Sequence, residues 1–267
     1  MNIFTILLTQ PLANGLVLFY KILGQNMGLA IIGFSLFLRF VLSPLTRPYM
    51  ESMKKMREFA PQLDKIKKKH KGDRQKQMQA QADFYKEKGI NPGAGCLPYL
   101  LQIVVLIAFF NVFTSVLGNE DIVGRFNELL YPPLKFASGE SVNLQFLYLD
   151  LAKPDTVSIP GVTFALPGLL LILSAVAQFV SAKISSPYVE LEEKVARKTE
   201  EKQDDIAASM QKSMIYTFPL MTILIGVRFP SALALYWLVF SIFQAVQQYR
   251  ASGWGGMTPI VRKLGVS

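Results

Sequence analysis

Four stretches of this chain are long and apolar enough to cross a lipid bilayer, and none of them contains an Asp or a Glu. A helix rises about 1.5 Å per residue, so roughly 20 apolar residues span a hydrocarbon core of about 30 Å. The stretches run over 28–49, 97–117, 161–182 and 214–249. The last is too long for one crossing. Its centre reads Gly226-Val227-Arg228-Phe229-Pro230-Ser231, a charge followed by a helix breaker, which divides it into 213–227 and 230–249. Lys212 and Tyr216 anchor the short first piece. Five spans result, in a chain of 267 residues that is 51% hydrophobic.

Charge placement orients them. The connection 50–95 carries 12 Lys and Arg against six acids, whereas 118–160 carries three basic residues against six acidic ones. The connection 183–212 holds six basic residues and the tail 250–267 holds three. Positive charge collects on the cytoplasmic side of membrane proteins. Thus 50–95, 183–212 and the tail face the cytoplasm, while 118–160 and the N-terminus face outward. The net charge of +9 is mostly explained by this arrangement and implies no nucleic-acid recognition.

Residues 1–27 are ambiguous, because 3–24 are apolar enough to imitate a signal peptide or a sixth span. Nothing basic precedes Ile3, and Pro11, Asn14, Gly15 and Lys21 interrupt a span. In a helix starting at Pro11, Leu12, Leu16, Phe19, Tyr20 and Leu23 share one face, with Asn14, Lys21 and Gln25 away from it. An external interfacial helix is expected.

Classical catalysis has no foothold. The single His70 sits among Lys67, Lys68, Lys69 and Lys71 and is read as solvated, and Cys96 is the only thiol. No phosphate-binding glycine loop occurs. No catalytic residue, metal site or cofactor is expected.

The cytoplasmic segment 50–95 is rich in Glu, Lys, Gln, Met and Ala, strong helix formers. Pro61 starts one helix over about 61–71, and Gly72-Asp73 turns the chain into a second over 74–88. Met53, Met56, Leu63, Ile66, Met78, Ala82 and Tyr85 are its apolar residues. One reading is a hairpin that packs its own seam and displays solvated lysines: Lys54, Lys55, Lys65, Lys67, Lys68 and Lys69. The other is a guiding arm for polypeptides, since methionine surfaces tolerate varied apolar partners.

Arg39 lies near the middle of the first span, where a charge costs about 2.5–3.5 kcal/mol on insertion scales. No acid in a neighbouring span is available to it. Ser35, Arg39, Ser43 and Arg47 recur every four residues along one helix face. The other spans add Gln102 and Asn111, Ser174 and Gln178, and Ser241 and Gln244. Alone, each of these ordinarily signals helix–helix hydrogen bonding. Converging on Arg39, they make a hydrated groove, which a membrane permits only where protein lines it. A snorkelling or carbonyl-capped structural arginine is the competing reading.

At this point a family resemblance becomes specific. Phe37-Leu38-Arg39 with Pro44-Leu45, then Asn91-Pro92, Gly95-Cys96-Leu97-Pro98, Leu101-Gln102 and Ile107-Ala108-Phe109-Phe110 resemble the first two spans of the YidC membrane protein insertases. Phe146-Leu147-Tyr148-Leu149-Asp150-Leu151 with Pro154-Asp155 is similar to the external approach to their third span. Phe218-Pro219, Phe229-Pro230 and Leu233-Ala234-Leu235-Tyr236-Trp237 resemble the last two.

The resemblance implies an all-α polytopic membrane protein: five transmembrane helices, an N-terminal interfacial helix and a cytoplasmic helical hairpin. It implies a multi-pass insertase and chaperone of a bacterial-type cytoplasmic membrane, not an enzyme. Nascent membrane proteins and the lipid bilayer are its implied partners, with the Sec translocon, the signal recognition machinery and the ribosome as further ones. Arg39 matches the positively charged groove, and Gln178 and Trp237 match groove-lining positions. The large external domain of Gram-negative relatives is not expected, since only about 27 residues precede the first span, and no lipoprotein cysteine stands at the N-terminus. Leu238-Val239-Phe240-Ser241 follows Trp237 where many relatives have Ser-Asn, and the short tail weakens the case for ribosome docking. The reading from a different class is a small-molecule anion carrier or channel using Arg39, although no internal repeat supports it.

Overall fold

The structure, a computed structural model, describes residues 3–70, 72–90, 97–117, 121–161, 164–186 and 206–265. It is mostly helical. After a wide π-type stretch over Thr5–Thr9 come α1 (Gln10–Ile22), α2 (Met27–Glu58), α3 (Ala60–Lys69), α4 (Arg74–Glu87), α5 (Leu97–Val112) and α6 (Ile122–Leu129). Four two-residue strands follow: β1 (Gln145–Phe146), β2 (Leu149–Asp150), β3 (Thr156–Val157) and β4 (Leu166–Pro167). The chain then forms α7 (Leu169–Ser185), α8 (Ile206–Gly226), α9 (Ser231–Ser252) and α10 (Thr258–Lys263). β1 pairs antiparallel with β2 and β3 with β4, making two hairpins.

Met27–Pro44 is long and apolar enough to cross a membrane by length and composition. Gln102–Leu117, Leu169–Ser185 and Ile215–Gly226 are shorter apolar helices. The boundaries differ from the sequence expectation in three places. The helix of the first span, α2, continues past Pro44 and Pro48 to Glu58. The apolar stretch beginning at 161 enters the β3–β4 hairpin before α7 starts at Leu169, because apolarity alone does not separate strand from helix. α8 begins seven residues before 213, at Ile206, and keeps Pro219 inside it. Residues 187–205, most of the second cytoplasmic connection, and Cys96 lie outside the described residues.

The chain divides into two compact units. One comprises Met1–Leu42, Leu101–Phe179 and Tyr216–Gln244. Its core joins Leu16 and Val17 of α1, Met27 and Ile31 of α2, Phe109 and Val112 of α5, Phe126 of α6, Leu171 of α7 and Ala232 to Tyr236 of α9. Gly15 lets the Phe34 ring lie against α1, where any side chain would collide with it.

Helix ends in this unit are fastened to the segment 121–161. The Met27 N–H donates to the Asn143 carbonyl at 3.1 Å, and Asn26 Nδ2 donates to the Gln145 carbonyl at 2.9 Å. Asp155 Oδ2 accepts the Leu171 N–H at 2.9 Å, satisfying an orphan donor of the first turn of α7. The Ser231 N–H donates to the Lys153 carbonyl at 2.8 Å, and the Ala232 N–H to that of Leu151 at 3.2 Å. The starts of α2, α7 and α9 therefore all meet one segment.

α1 rests on the same segment. The sequence pattern sets Asn14 away from the apolar face, but the structure buries it. Its Nδ2 donates to the Leu129 carbonyl at 3.0 Å, and its Oδ1 accepts the Tyr131 N–H at 2.7 Å. Its side chain serves two backbone groups at the end of α6. Leu18 and Ile22 remain exposed on the other side of α1, as do Ile3, Ile6 and Leu7 before it.

The second unit comprises Ser43–Leu100, Val180–Ile215 and Ala245–Ser267. In it α3 and α4 form the basic hairpin. Asp73 caps α4 by accepting the Lys76 N–H at 3.1 Å, and these contacts with Lys76 hold its carboxyl below the ordinary value. Leu63 and Phe84 are buried in the seam, with Phe59 edge-on to Phe84 at 6.0 Å between centroids. Met78 is exposed instead, and Phe84, outside the seam residues expected from sequence, carries the packing. The C-terminal segment is tied back, the Gly256 N–H donating to the Ser186 carbonyl at 3.0 Å.

Candidate functional site: a cation among apolar helices

Arg39 lies on α2, half-buried, with Phe240 of α9 against its flat face. The guanidinium carbon is 3.5 Å from the ring centroid. One Nη2 hydrogen bond goes to Gln102 Oε1 of α5 at 3.4 Å, the long end of the useful range. Gln102 Nε2 in turn donates to the Tyr236 hydroxyl at 3.0 Å. Tyr236 is buried, with its ring 4.6 Å from that of Phe109. Three helices thus meet through Arg39, Gln102 and Tyr236.

Ion pairs among the described residues join Lys76 to Asp73, Lys88 to Glu87, Arg125 to Glu128 and Lys153 to Asp150. All lie outside the apolar helices, and none involves Arg39. A guanidinium carries five donors. One long bond to an amide and one ring face leave most of that capacity for another acceptor.

The other expected groove residues are placed differently. Ser35 is buried and its hydroxyl donates to the Ile31 carbonyl, four residues back on its own helix, so it is turned from Arg39. Ser43 is half-buried. Gln178 Oε1 accepts the Thr222 hydroxyl at 2.7 Å, a bond between α7 and α8. Trp237 is half-buried and packs against the core. No described hydrogen bond or ring contact joins Gln178 or Trp237 to Arg39. Ser174 donates to the Ala234 carbonyl at 2.8 Å, a plain link between α7 and α9.

Tyr236 and Phe240 are the residues that sequence reasoning left out of the site. Their signal was present, since positions four apart share a helix face. It was masked because an aromatic in an apolar helix reads first as core. Of the lysines expected on the hairpin, Lys54 and Lys55 instead lie at the end of α2, Lys65, Lys68 and Lys69 lie on α3, all five are exposed, and the Lys67 side chain lies outside the described residues. Among the described residues no group of His, Cys, Asp and Glu could hold a metal ion.

Comparison with known proteins gives this cluster its context. The family model described as the 60Kd inner membrane protein matches residues 18–253. The membrane protein insertase YidC of Fusobacterium nucleatum is 32% identical over 224 residues, covering 84% of this chain and 85% of that protein. The YidC of Chlorobium luteolum is 32% identical over 254 residues, covering 91% of this chain and 36% of the longer relative. Membrane protein insertase YidC 2 of Bacillus anthracis is 28% identical over 247 residues, covering 91% of this chain and 78% of its own. With nearly nine-tenths of its length inside the family model, the chain belongs to the 60Kd inner membrane protein family.

Proposed function

We propose that this protein is a membrane protein insertase that works without fuel or cofactor, using Arg39 as an electrostatic receptor inside the membrane. Its relatives are named membrane protein insertases, and that supports the activity class. The observation that carries the mechanism is the under-committed guanidinium of Arg39, bonded to a neutral amide and stacked on a ring.

In this reading α2, α5, α7, α8 and α9 cross the membrane, with the N-terminus outside. The fastening of the starts of α2, α7 and α9 to segment 121–161 supports it, since helices running in one direction then begin on one side. The basic hairpin and the tail face the cytoplasm. The exposed lysines of α3, together with Lys54 and Lys55, serve to receive a nascent segment.

A nascent chain brings a short polar flank and an apolar segment. Acidic groups on the flank take the vacant donors of Arg39. That interaction offsets part of the cost of holding polar groups at membrane depth, where none of the ion pairs among the described residues involves Arg39. The groove in this reading is hydrated, with Gln102, Gln178 and Trp237 along it and Ser35 backing the helix. The apolar segment then leaves for lipid, and its burial at about 25 cal/mol per Å² drives the step.

The test is insertion of a single-span substrate with a short acidic external tail into vesicles holding the purified protein. Arg39→Ala lowers insertion, and Arg39→Lys retains more than Arg39→Ala. Undiminished insertion by a stably folded Arg39→Ala protein overturns the electrostatic role.

A further inference from the structure

We propose that the tips of the two β-hairpins dock on the outer lipid surface, with Leu147 and Phe164 as the side chains that enter it. The inference rests on reading α7 as a membrane-crossing helix.

Leu147 is the most informative residue of the external segment. It lies in the turn between β1 and β2 with a backbone φ of +54°, and it is 83% exposed. The left-handed region is unfavourable for a side chain of this kind, and Gly or Asn ordinarily takes such a position. A leucine there gains nothing from the fold, because it touches almost nothing in it. Held out in this strained turn, its apolar surface is available to something outside the chain.

The next residue fixes where that surface lies. The Tyr148 hydroxyl accepts the Leu170 N–H at 2.9 Å and donates to Asp155 Oδ1 at 3.3 Å. The hairpin tip is thereby fastened to the first turn of α7. The second hairpin starts from the same place, because Asp155 precedes β3 and its carbonyl accepts the Gly168 N–H at 2.8 Å. Phe164, two residues before β4, is 66% exposed, and Val157 and Ile159 are exposed as well. Leu169, Ile172, Leu173 and Val176 expose an apolar strip along α7, which ends where Leu147 is held.

Lipid suits this arrangement better than a protein does. Stable protein interfaces bury a broad matched area on each side. These hairpins are two residue pairs long, and their exposed apolar side chains are divided between them, Leu147 on one and Val157, Ile159 and Phe164 on the other. The boundary between headgroups and hydrocarbon accepts isolated apolar side chains without matched shape, and amphipathic anchors gather at that depth. Docked there, the tips fix how deeply α7 sits.

The full chain carrying Cys96→Ser supplies a background for single labels at Leu147→Cys, Phe164→Cys, Val176→Cys and Ser138→Cys. Each is given an environment-sensitive fluorophore and reconstituted in phosphatidylethanolamine–phosphatidylglycerol vesicles. Quenching by nitroxide-labelled lipid is compared with quenching by aqueous iodide. The expected result is quenching by lipid at 147, 164 and 176, strongest for shallow nitroxides at 147 and 164, with several-fold less iodide quenching there than at 138. Lipid quenching at 176 with iodide quenching at 147 and 164 equal to that at 138 overturns the docking and leaves the span intact. No lipid quenching at 176 removes the span itself, and the docking with it. Protection of 147 and 164 from both quenchers assigns the tips to a protein partner or a second copy and likewise overturns the proposal.

Discussion

The Arg39 guanidinium and the Phe240 ring are stacked at 3.5 Å, so a phenyl face stands where a carboxylate would ordinarily be sought. Such a contact is worth about 0.5–2 kcal/mol, rising as water is excluded. It holds the cation in place while leaving its in-plane donors open. Phe240→Leu is expected to lower insertion of the acidic-tail substrate about two- to thirty-fold, the range those energies span. Phe240→Trp restores it. Insertion measured at equal protein levels decides, and an unchanged rate in the leucine variant removes the ring from the site.

Tyr236→Phe takes away the acceptor of Gln102 Nε2. An amide donor left without a partner in a buried setting costs about 1–3 kcal/mol. The variant should melt at lower temperature in detergent. In a Gln102→Leu background the same change should cost much less, because the donor is already gone. Equal losses in both backgrounds show that the two side chains do not act through each other.

Asn14→Ala strips a partner from the Tyr131 N–H and from the Leu129 carbonyl. The expected loss is about 1–3 kcal/mol, as for other buried groups left unsatisfied. Hydrogen exchange at the Tyr131 amide should accelerate while exchange within α9 stays slow. Unchanged protection at Tyr131 means that another acceptor serves it.

Much of this architecture was legible in the order of apolar and charged residues, and the failures have physical causes. The α3–α4 hairpin follows from Pro61, Gly72 and Asp73, and its two helices lie within two residues of the expected limits. The start of α7 was misjudged because Val162, Phe164 and Leu166 are as apolar as a span. Only the pairing of Val157 with Leu166 puts part of that stretch in a hairpin. Arg39 and Gln102, both singled out from sequence, are in contact, whereas the Ser35 hydroxyl bonds its own backbone. A four-residue stripe says which residues share a face. It does not say whether a hydroxyl satisfies itself locally, and serine in a helix often does.

The Tyr148 phenol is held above its ordinary value of 10.0, first by desolvation and further by the negative Asp155, while the Leu170 N–H acts the other way. A raised value in the folded state means that the stability it brings is complete below pH 10 and falls as pH rises through the shifted value. Alkaline titration of tyrosinate absorbance should lose one component above the ordinary tyrosine value in Tyr148→Phe. Asp155→Asn should bring that component to lower pH. A Tyr148→Phe profile identical to that of the parent rules out this linkage.

α7 has 17 residues, which at 1.5 Å per residue makes a rod of about 26 Å. An ordinary hydrocarbon layer is about 30 Å deep, so in the proposed five-span arrangement lipids around α7 thin, or its flanking side chains reach outward, to close the difference. Bilayers of longer acyl chains make that adjustment more expensive, and shorter chains relieve it. Where this protein gathers, and how readily it works, should therefore follow the thickness of the membrane around it.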